Sequence, residues 1–263
     1  MIEPQPDLDN TVVFEHLWKI TCELLKKLDT RFHLHLDPST KDLEDYSSGD
    51  GNIKGTLNAF SGTEIDWLVH SYIRNLGQSH FSTMRLTAWL GSHVRVPHLV
   101  FEFGTLPNIF FYMDYVPRTD LITDQEYLDR YYEPVNQTYL RLQAEPRLVS
   151  FTSKSVYVRM FQSPISLCYT GSACEDTLEV IRTLAHEMLD RWLTWVNEAE
   201  PVPEDARAAL AERDLFLRRT SAERDPGNKL AAQILGQELT DKLVRSLWGG
   251  DGAERPLRDR ITE

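Results

Sequence analysis

The chain has 263 residues, of which 41% are apolar and 26% are charged, a balance typical of soluble globular proteins. Its 28 basic and 40 acidic residues give a net charge of −12, which argues against a general nucleic-acid binder. No stretch approaches the roughly 18 continuous apolar residues that a membrane-spanning helix needs.

The first ten residues and the cysteines of the chain bear on the cellular compartment of the protein. Residues 1–10 contain three acids and no lysine or arginine, so we expect no signal or transit peptide and a cytoplasmic protein. The three cysteines include no Cys-x-x-Cys pair, which predicts packing in a reducing compartment rather than a disulfide framework.

Apolar periodicity predicts a first helix over 11–29. Short segments rich in β-branched and aromatic residues then predict strands over 53–60, 65–72, 81–90, 99–103, 109–115, 156–161 and 165–169. A helix-like pattern over 124–141 interrupts them. Helices are predicted over 175–198, 203–219 and 229–247, with a turn-rich connection over 221–228.

The strands follow one another through short connections, which favours antiparallel hairpins over β-α-β units. One helix, a run of strands and a run of helices therefore predict an α/β fold, a three-layer α/β/α sandwich with a central antiparallel β-sheet. We expect a single domain over 1–248 and a flexible C-terminal tail over 249–263.

Motifs for common cofactors are missing from the sequence. It has no G-x-G-x-x-G after a strand, no P-loop and no G-x-S-x-G elbow. His186 and Asp190 would share a helix face, and His33 and His35 a strand face, but neither pair has an evident third ligand. We therefore expect no bound metal.

Glu102 is the first candidate for chemistry. Strand alternation over 98–103 places three apolar side chains on one face and His98, Val100 and Glu102 on the other. If helices cover both faces, desolvation raises the pKa of Glu102, and the acid can give a proton to a substrate. The alternative is a solvated residue at the sheet edge.

Two aspartates are further candidates. Asp114 follows the same alternation over 109–114, with a turn-capping role near Pro117 as its alternative. Asp225 stands in an Asp-Pro-Gly sequence, which taken alone predicts a turn and leaves catalysis as the other interpretation.

Three groups of motifs, in a shared order and spacing, resemble a known family. They are IDWLVHSYI with VPHLVFE, DYVPRTDL with DRYY, and VYVR with Ser-Pro, Arg-Asp and RRTSAERD, within 65–102, 114–132 and 156–225. Over 60–248 the chain resembles the red chlorophyll catabolite reductases, a branch of the ferredoxin-dependent bilin reductases.

The resemblance implies a single α/β/α domain that holds an open-chain tetrapyrrole between its sheet and its C-terminal helices. It implies no flavin, metal or nicotinamide, and reduced ferredoxin as a one-electron donor. Glu102 and Asp225 match the family's acidic positions. Each electron makes the pigment radical more basic, and a nearby carboxyl group then supplies a proton.

The same resemblance suggests residues that contact the substrate. We nominate Arg159 for a carboxylate of the pigment, because a guanidinium can bind it through two hydrogen bonds, with a surface arginine as the alternative. Gln162 stands where plant members have an apolar substrate contact, and Ser163 looks like part of the pocket wall. His98 and Asp114 complete the predicted binding set.

Positive charge near Asp225 has two interpretations. The charge could steer an acidic ferredoxin toward the pocket, or it could balance a solvated helix end. The residues that carry it are Arg218, Arg219, Arg224 and Lys229. A homodimer interface could be formed by large aromatic side chains such as Trp67, Trp89, Trp192 and Trp195. The sequence has no pattern that decides between a monomer and a homodimer.

Three functions remain. The leading one is ferredoxin-dependent reduction of red chlorophyll catabolite to primary fluorescent chlorophyll catabolite. The second is the same chemistry on another bilin, such as biliverdin or a dihydrobiliverdin. The third is a bilin carrier without turnover, which would need neither acid. The absence of the plant transit peptide fits a cytoplasmic protein of a cyanobacterium.

Overall fold

A computed structural model describes residues 8–77, 81–105 and 108–250. From residue 251 onward, the predicted C-terminal tail lies outside the described residues. The helices are α1 (Asn10–Phe32), α2 (Gln125–Tyr131), α3 (Asn136–Gln143), α4 (Val156–Phe161), α5 (Glu175–Asn197), α6 (Glu204–Glu223), α7 (Gly227–Leu235) and α8 (Gln237–Trp248).

The strands are β1 (His35–Leu36), β2 (Tyr46–Ser47), β3 (Ile53–Ser61), β4 (Ile65–Asn75), β5 (Ser82–Leu90), β6 (His98–Thr105), β7 (Ile109–Val116), β8 (Leu148–Ser150) and β9 (Leu167–Gly171). Their order in the sheet is β1-β3-β4-β5-β6-β7-β9-β8, β2 pairs with β3, and the pairings are antiparallel.

Helices cover both faces of this sheet. On one face α1 and α5 pack against β4, β5 and β6, and on the other α8 packs against β3 and α6 and α7 pack against α8. The predicted α/β/α sandwich with a central antiparallel sheet is confirmed. No helix among the described residues is long and apolar enough to cross a membrane.

The face under α1 and α5, which we call the closed face, is a continuous apolar core. Leu99, Phe101 and Phe103 of β6 are at most 1% exposed and belong to one cluster with Trp192 of α5. This is the alternation predicted for 98–103, and burial of such side chains contributes about 1.5–3 kcal/mol each.

The opposite face, which we call the open face, carries a smaller core and two glycines that lie directly under aromatic rings. A Cβ on Gly55 would lie 2.3 Å from the ring of Tyr46, and one on Gly104 would lie 2.2 Å from the ring of Phe110. Both rings therefore rest directly on the backbone of the sheet, where any larger residue would displace them.

Several predicted elements are wrong in detail. Residues 156–161 form helix α4 rather than a strand, because the hydroxyl of Ser155 accepts a hydrogen bond from the Val158 amide and starts a helical turn. The predicted helix over 229–247 is divided at Gly236, whose φ of 84° lies outside the helical region. Helix α6 continues to Glu223, so the connection after it is shorter than predicted.

Burial also bears on two expectations about side chains. Trp67, Trp89 and Trp192 are at most 6% exposed and belong to the core, whereas Trp195 is only partly buried. The homodimer stays a prediction. Cys22 is exposed rather than packed, whereas Cys168 and Cys174 are buried as predicted.

Candidate functional site

The open face holds two adjoining cavities between the sheet and helices α6–α8. The first, of about 210 Å³, has Tyr46 and Phe81 among its lining residues, and the second, of about 240 Å³, has Phe110. Both cavities share four lining residues, and they are Arg85, Glu102, Asp225 and Leu247. The two spaces therefore meet at a charged centre and form one groove.

Glu102 projects from β6 into this centre, as the alternation predicts. Its partner across the sheet is Arg85 of β5, because the two residues are in register. The Arg85 Nη2 atom lies 3.3 Å from the Glu102 Oε1 atom, and the Glu102 side chain is 28% exposed. Glu102 is thus neither at the sheet edge nor fully enclosed, but faces the groove beside a cation.

Asp225 reaches the same centre from the opposite layer. Its Oδ1 atom accepts a hydrogen bond of 2.8 Å from the Gly227 amide, and its Oδ2 atom lies 3.4 Å from Arg85 Nη2. One oxygen therefore forms the turn before α7 while the other faces the groove. The Oδ1 contact confirms the turn interpretation of Asp225, and its catalytic role stays a prediction.

Arg85 was missed by the sequence reasoning. The neighbouring Glu102 carboxylate is the largest cause that raises the pKa of the Arg85 guanidinium above its ordinary value. Burial lowers this pKa, and Asp225 raises it. A strand arginine on the same face as Thr87 and Trp89 was a usable signal. The pairing of Arg85 with Glu102 could not be predicted, since strand register does not follow from composition.

Asp114 is fully buried and supports the wall of the second cavity. It accepts hydrogen bonds from the amide and the hydroxyl of Ser163, at 2.8 and 2.5 Å, and from the hydroxyl of Tyr112 at 2.9 Å. Burial raises the pKa of Asp114 to about 6, although these hydrogen bonds oppose the shift. Tyr112 and Gln162, rather than Asp114 and Ser163, line the cavity.

His98 is fully buried at the start of β6. Its Nδ1 atom accepts a hydrogen bond from the Leu90 amide, and its Nε2 atom lies 3.2 Å from Asp214 of α6. Burial lowers the pKa of His98 to about 4, so the neutral ring carries its proton on Nε2. The Oδ2 atom of Asp214 accepts a hydrogen bond of 3.0 Å from the Nε atom of Arg118. This cluster attaches α6 to the sheet.

The structure separates Arg159 from the other predicted contacts. Arg159 lies on the exposed side of α4, where its Nη1 atom donates to the Ser153 carbonyl at 2.8 Å, outside the lining of either cavity. Gln162 does line the second cavity, with its Nε2 atom 3.1 Å from Cys168 Sγ. The contact between Arg159 and a pigment carboxylate stays a prediction.

The model of the red chlorophyll catabolite reductase (RCC reductase) family matches residues 17–248. The chain belongs to this family. Red chlorophyll catabolite reductase 1, chloroplastic, of Oryza sativa subsp. japonica is 26% identical over 257 residues, which cover 90% of this chain and 78% of that protein. A red chlorophyll catabolite reductase of Hordeum vulgare is 27% identical over 171 residues, which cover 60% of this chain and 83% of that protein.

A solved structure has the same fold as this RCC reductase family member. It is the crystal structure of phytochromobilin synthase from tomato in complex with biliverdin, with a TM-score of 0.78 at 18% identity. The match covers 93% of this chain and 87% of that chain.

The cations near the site divide into two groups in this RCC reductase family member. Arg218 was predicted as part of a steering surface, but its side chain is only 2% exposed and lines the second cavity. Its Nη1 atom lies 2.8 Å from the Oδ2 atom of Asp66. Arg219 is exposed but pairs with Glu223 at 2.9 Å. Among the described residues, no cluster of three or more His, Cys, Asp or Glu is placed to hold a metal ion.

Proposed function

We propose that this protein reduces a linear tetrapyrrole, red chlorophyll catabolite to primary fluorescent chlorophyll catabolite, with reduced ferredoxin as the electron donor. The observation that carries the proposal is the centre of the groove. There Glu102 from the sheet and Asp225 from the helical layer face one guanidinium, that of Arg85.

The proposed reaction adds two electrons and two protons to one double bond of the pigment. Two reduced ferredoxins each lose one electron, and each electron raises the basicity of the pigment enough for it to take a proton. Glu102 and Asp225 supply these protons, and solvent reprotonates them through their partly exposed side chains. We propose that no flavin, metal or nicotinamide takes part.

The groove offers suitable contacts for such a pigment. Tyr46, Phe81 and Phe110 present aromatic surface to the conjugated rings. Arg85 and Arg218 place two cations along the groove for the pigment's carboxylates, and Arg159 is a third candidate at its outer side. The groove therefore combines apolar walls with few polar groups, as small-molecule sites do.

A second candidate is reduction of another bilin, biliverdin or a dihydrobiliverdin. The solved relative with the same fold was crystallised in complex with biliverdin, which supports a bilin of that length in this groove. For either substrate we propose a cytoplasmic protein of a cyanobacterium.

An anaerobic assay tests the proposal. Purified protein receives reduced ferredoxin and either red chlorophyll catabolite or biliverdin, and absorbance and fluorescence are followed over time. We expect a fluorescent product from the chlorophyll catabolite. A spectral shift with biliverdin alone would move the function to the second candidate. Tight pigment binding without turnover would contradict reduction and favour a carrier.

A further inference from the structure

The charge of the chain is unevenly distributed around the second cavity. Residues 146–174 contain no aspartate or glutamate, although the whole chain carries 40 acids against 28 basic residues. This stretch includes α4 and the loop before it. A locally positive region on an acidic protein attracts acidic partners to one place and repels them elsewhere.

Helix α4 has one side on the groove and one side on solvent. Val158 and Phe161 line the second cavity. Val156, Tyr157 and Met160 on the other side are 55%, 38% and 69% exposed. Large apolar side chains exposed together mark an interaction surface more often than single ones do. A partner on this helix would thus be separated from the groove by the width of one helix, about 10 Å.

Cations surround these exposed apolar residues. Lys154 and Arg159 flank them on the same segment, and the guanidinium of Arg224 lies 5.1 Å from the centre of the Tyr157 ring. In the part of the chain that the structure describes, none of these three cations forms an ion pair with a carboxylate. We call this surface the α4 patch, and it consists of Lys154, Val156, Tyr157, Arg159, Met160 and Arg224.

We propose that the α4 patch is the docking surface for an acidic one-electron carrier protein. This inference rests on the proposed function, which needs such a donor. Apolar contact at the centre and unpaired cations around it suit a partner that must bind briefly and leave after one electron. Electron transfer weakens steeply with distance, and the short path through α4 to the groove favours this surface over one behind α1 and α5.

The test compares two double variants of equal charge change. Lys154→Glu with Met160→Glu alters the α4 patch, and Lys26→Glu with Ile122→Glu alters exposed positions elsewhere. Arg159 and Arg224 are left unchanged, because one is a predicted pigment contact and the other adjoins Asp225. Each protein is assayed with reduced [2Fe–2S] ferredoxin and, separately, with reduced methyl viologen.

We expect the patch variant to raise KM for ferredoxin on the order of tenfold at low salt, while the control stays within about twofold of the wild type. Added NaCl should raise KM of the wild type more than that of the patch variant. With methyl viologen the three proteins should have the same rate. Equal slowing of the patch variant with both donors would overturn the proposal, as would equal KM values for patch variant and control.

A binding measurement separates this inference from the proposed function. Oxidised ferredoxin is titrated into each pigment-free protein, and the patch variant should bind about tenfold more weakly than the control. This outcome would support the docking surface even if the wild type failed to reduce either pigment. If the patch variant instead changed the oligomeric mass, the patch would join two copies of this chain and the inference would be wrong.

Discussion

The two faces of the sheet use the same strands for opposite purposes. On the closed face, alternate residues of β6 pack Leu99, Phe101 and Phe103 into a continuous apolar core. On the open face, His98 and Glu102 of the same strand contact charged partners. The difference teaches that one strand can present apolar side chains that stabilise the fold on one face and the polar side chains of a candidate site on the other.

The largest expected effect is on the closed face. Phe101→Ala leaves a cavity in a fully buried core, so we expect the free energy of unfolding to fall by about 3–5 kcal/mol. Chemical denaturation followed by tryptophan fluorescence measures it. Val100→Ala, one residue away on the open face, is the control. A smaller loss for Phe101 than for Val100 would contradict the division between the faces.

On the open face, Glu102→Gln should lower turnover about 10²- to 10⁴-fold, because the amide keeps the shape but has no carboxyl proton to give. Pigment affinity and the unfolding midpoint should stay near wild-type values. Steady-state kinetics and pigment titration measure both. Glu126→Gln on α2, remote from the groove, controls for the loss of one charge. Turnover near that of the control would remove Glu102 from the mechanism.

Asp225→Asn should lower turnover less, on the order of 10- to 100-fold, since Glu102 remains and one acid can still be reprotonated from solvent. The asparagine oxygen can still accept from the Gly227 amide, so the turn before α7 should persist. Kinetics and thermal unfolding are measured on the same sample. If only the unfolding temperature fell, Asp225 would be a turn residue without a catalytic role.

The smallest expected effect concerns pH. The pKa of Asp114 is raised from 3.8 to about 6 in the folded protein, so the folded state holds this proton more tightly than the unfolded state. The stabilising contribution is full below about pH 4 and is lost as pH rises through about 6. Between about pH 5 and about pH 6.5 we expect a loss of about 1 kcal/mol.

The measurement for Asp114 is the difference between the wild type and Asp114→Asn. The difference is needed because the pKa of His98 is lowered to about 4, so its contribution to stability rises with pH over a similar range. Urea unfolding of both proteins at several pH values isolates the aspartate. Parallel curves for the two proteins would show that Asp114 does not hold a proton in this range.

The main elements of the fold could be predicted from the sequence because their periodicity is local. The strands over 53–60 and 65–72 needed only their content of β-branched and aromatic residues, and the faces of 98–103 needed only alternation of apolar and polar residues. The helix over 156–161 was missed because Val156 and Val158 favour strands, while a single hydrogen bond to Ser155 decides the turn. The break at Gly236 gave a weak signal, since one glycine is tolerated inside a helix.

The site was predictable only in part. Alternation correctly placed Glu102 on the same face as His98, and the family resemblance brought Asp225 to the same centre. The position of Arg85 depends on pairing between β5 and β6, which is a property of the assembled sheet. Arg159 was expected on a strand, where alternate residues face a pocket, and the helix turns it to solvent instead.

The two glycines under Tyr46 and Phe110 have a consequence for how the substrate range of this protein could change. Each aromatic ring lines one of the two cavities and rests where a methyl group would stand. Alanine at Gly55 or Gly104 would displace a ring and alter the space available to a bound molecule, while Arg85, Glu102 and Asp225 stayed in place. Selection for a tetrapyrrole of different shape could thus act on the sheet backbone, with the proposed proton donors inherited unchanged.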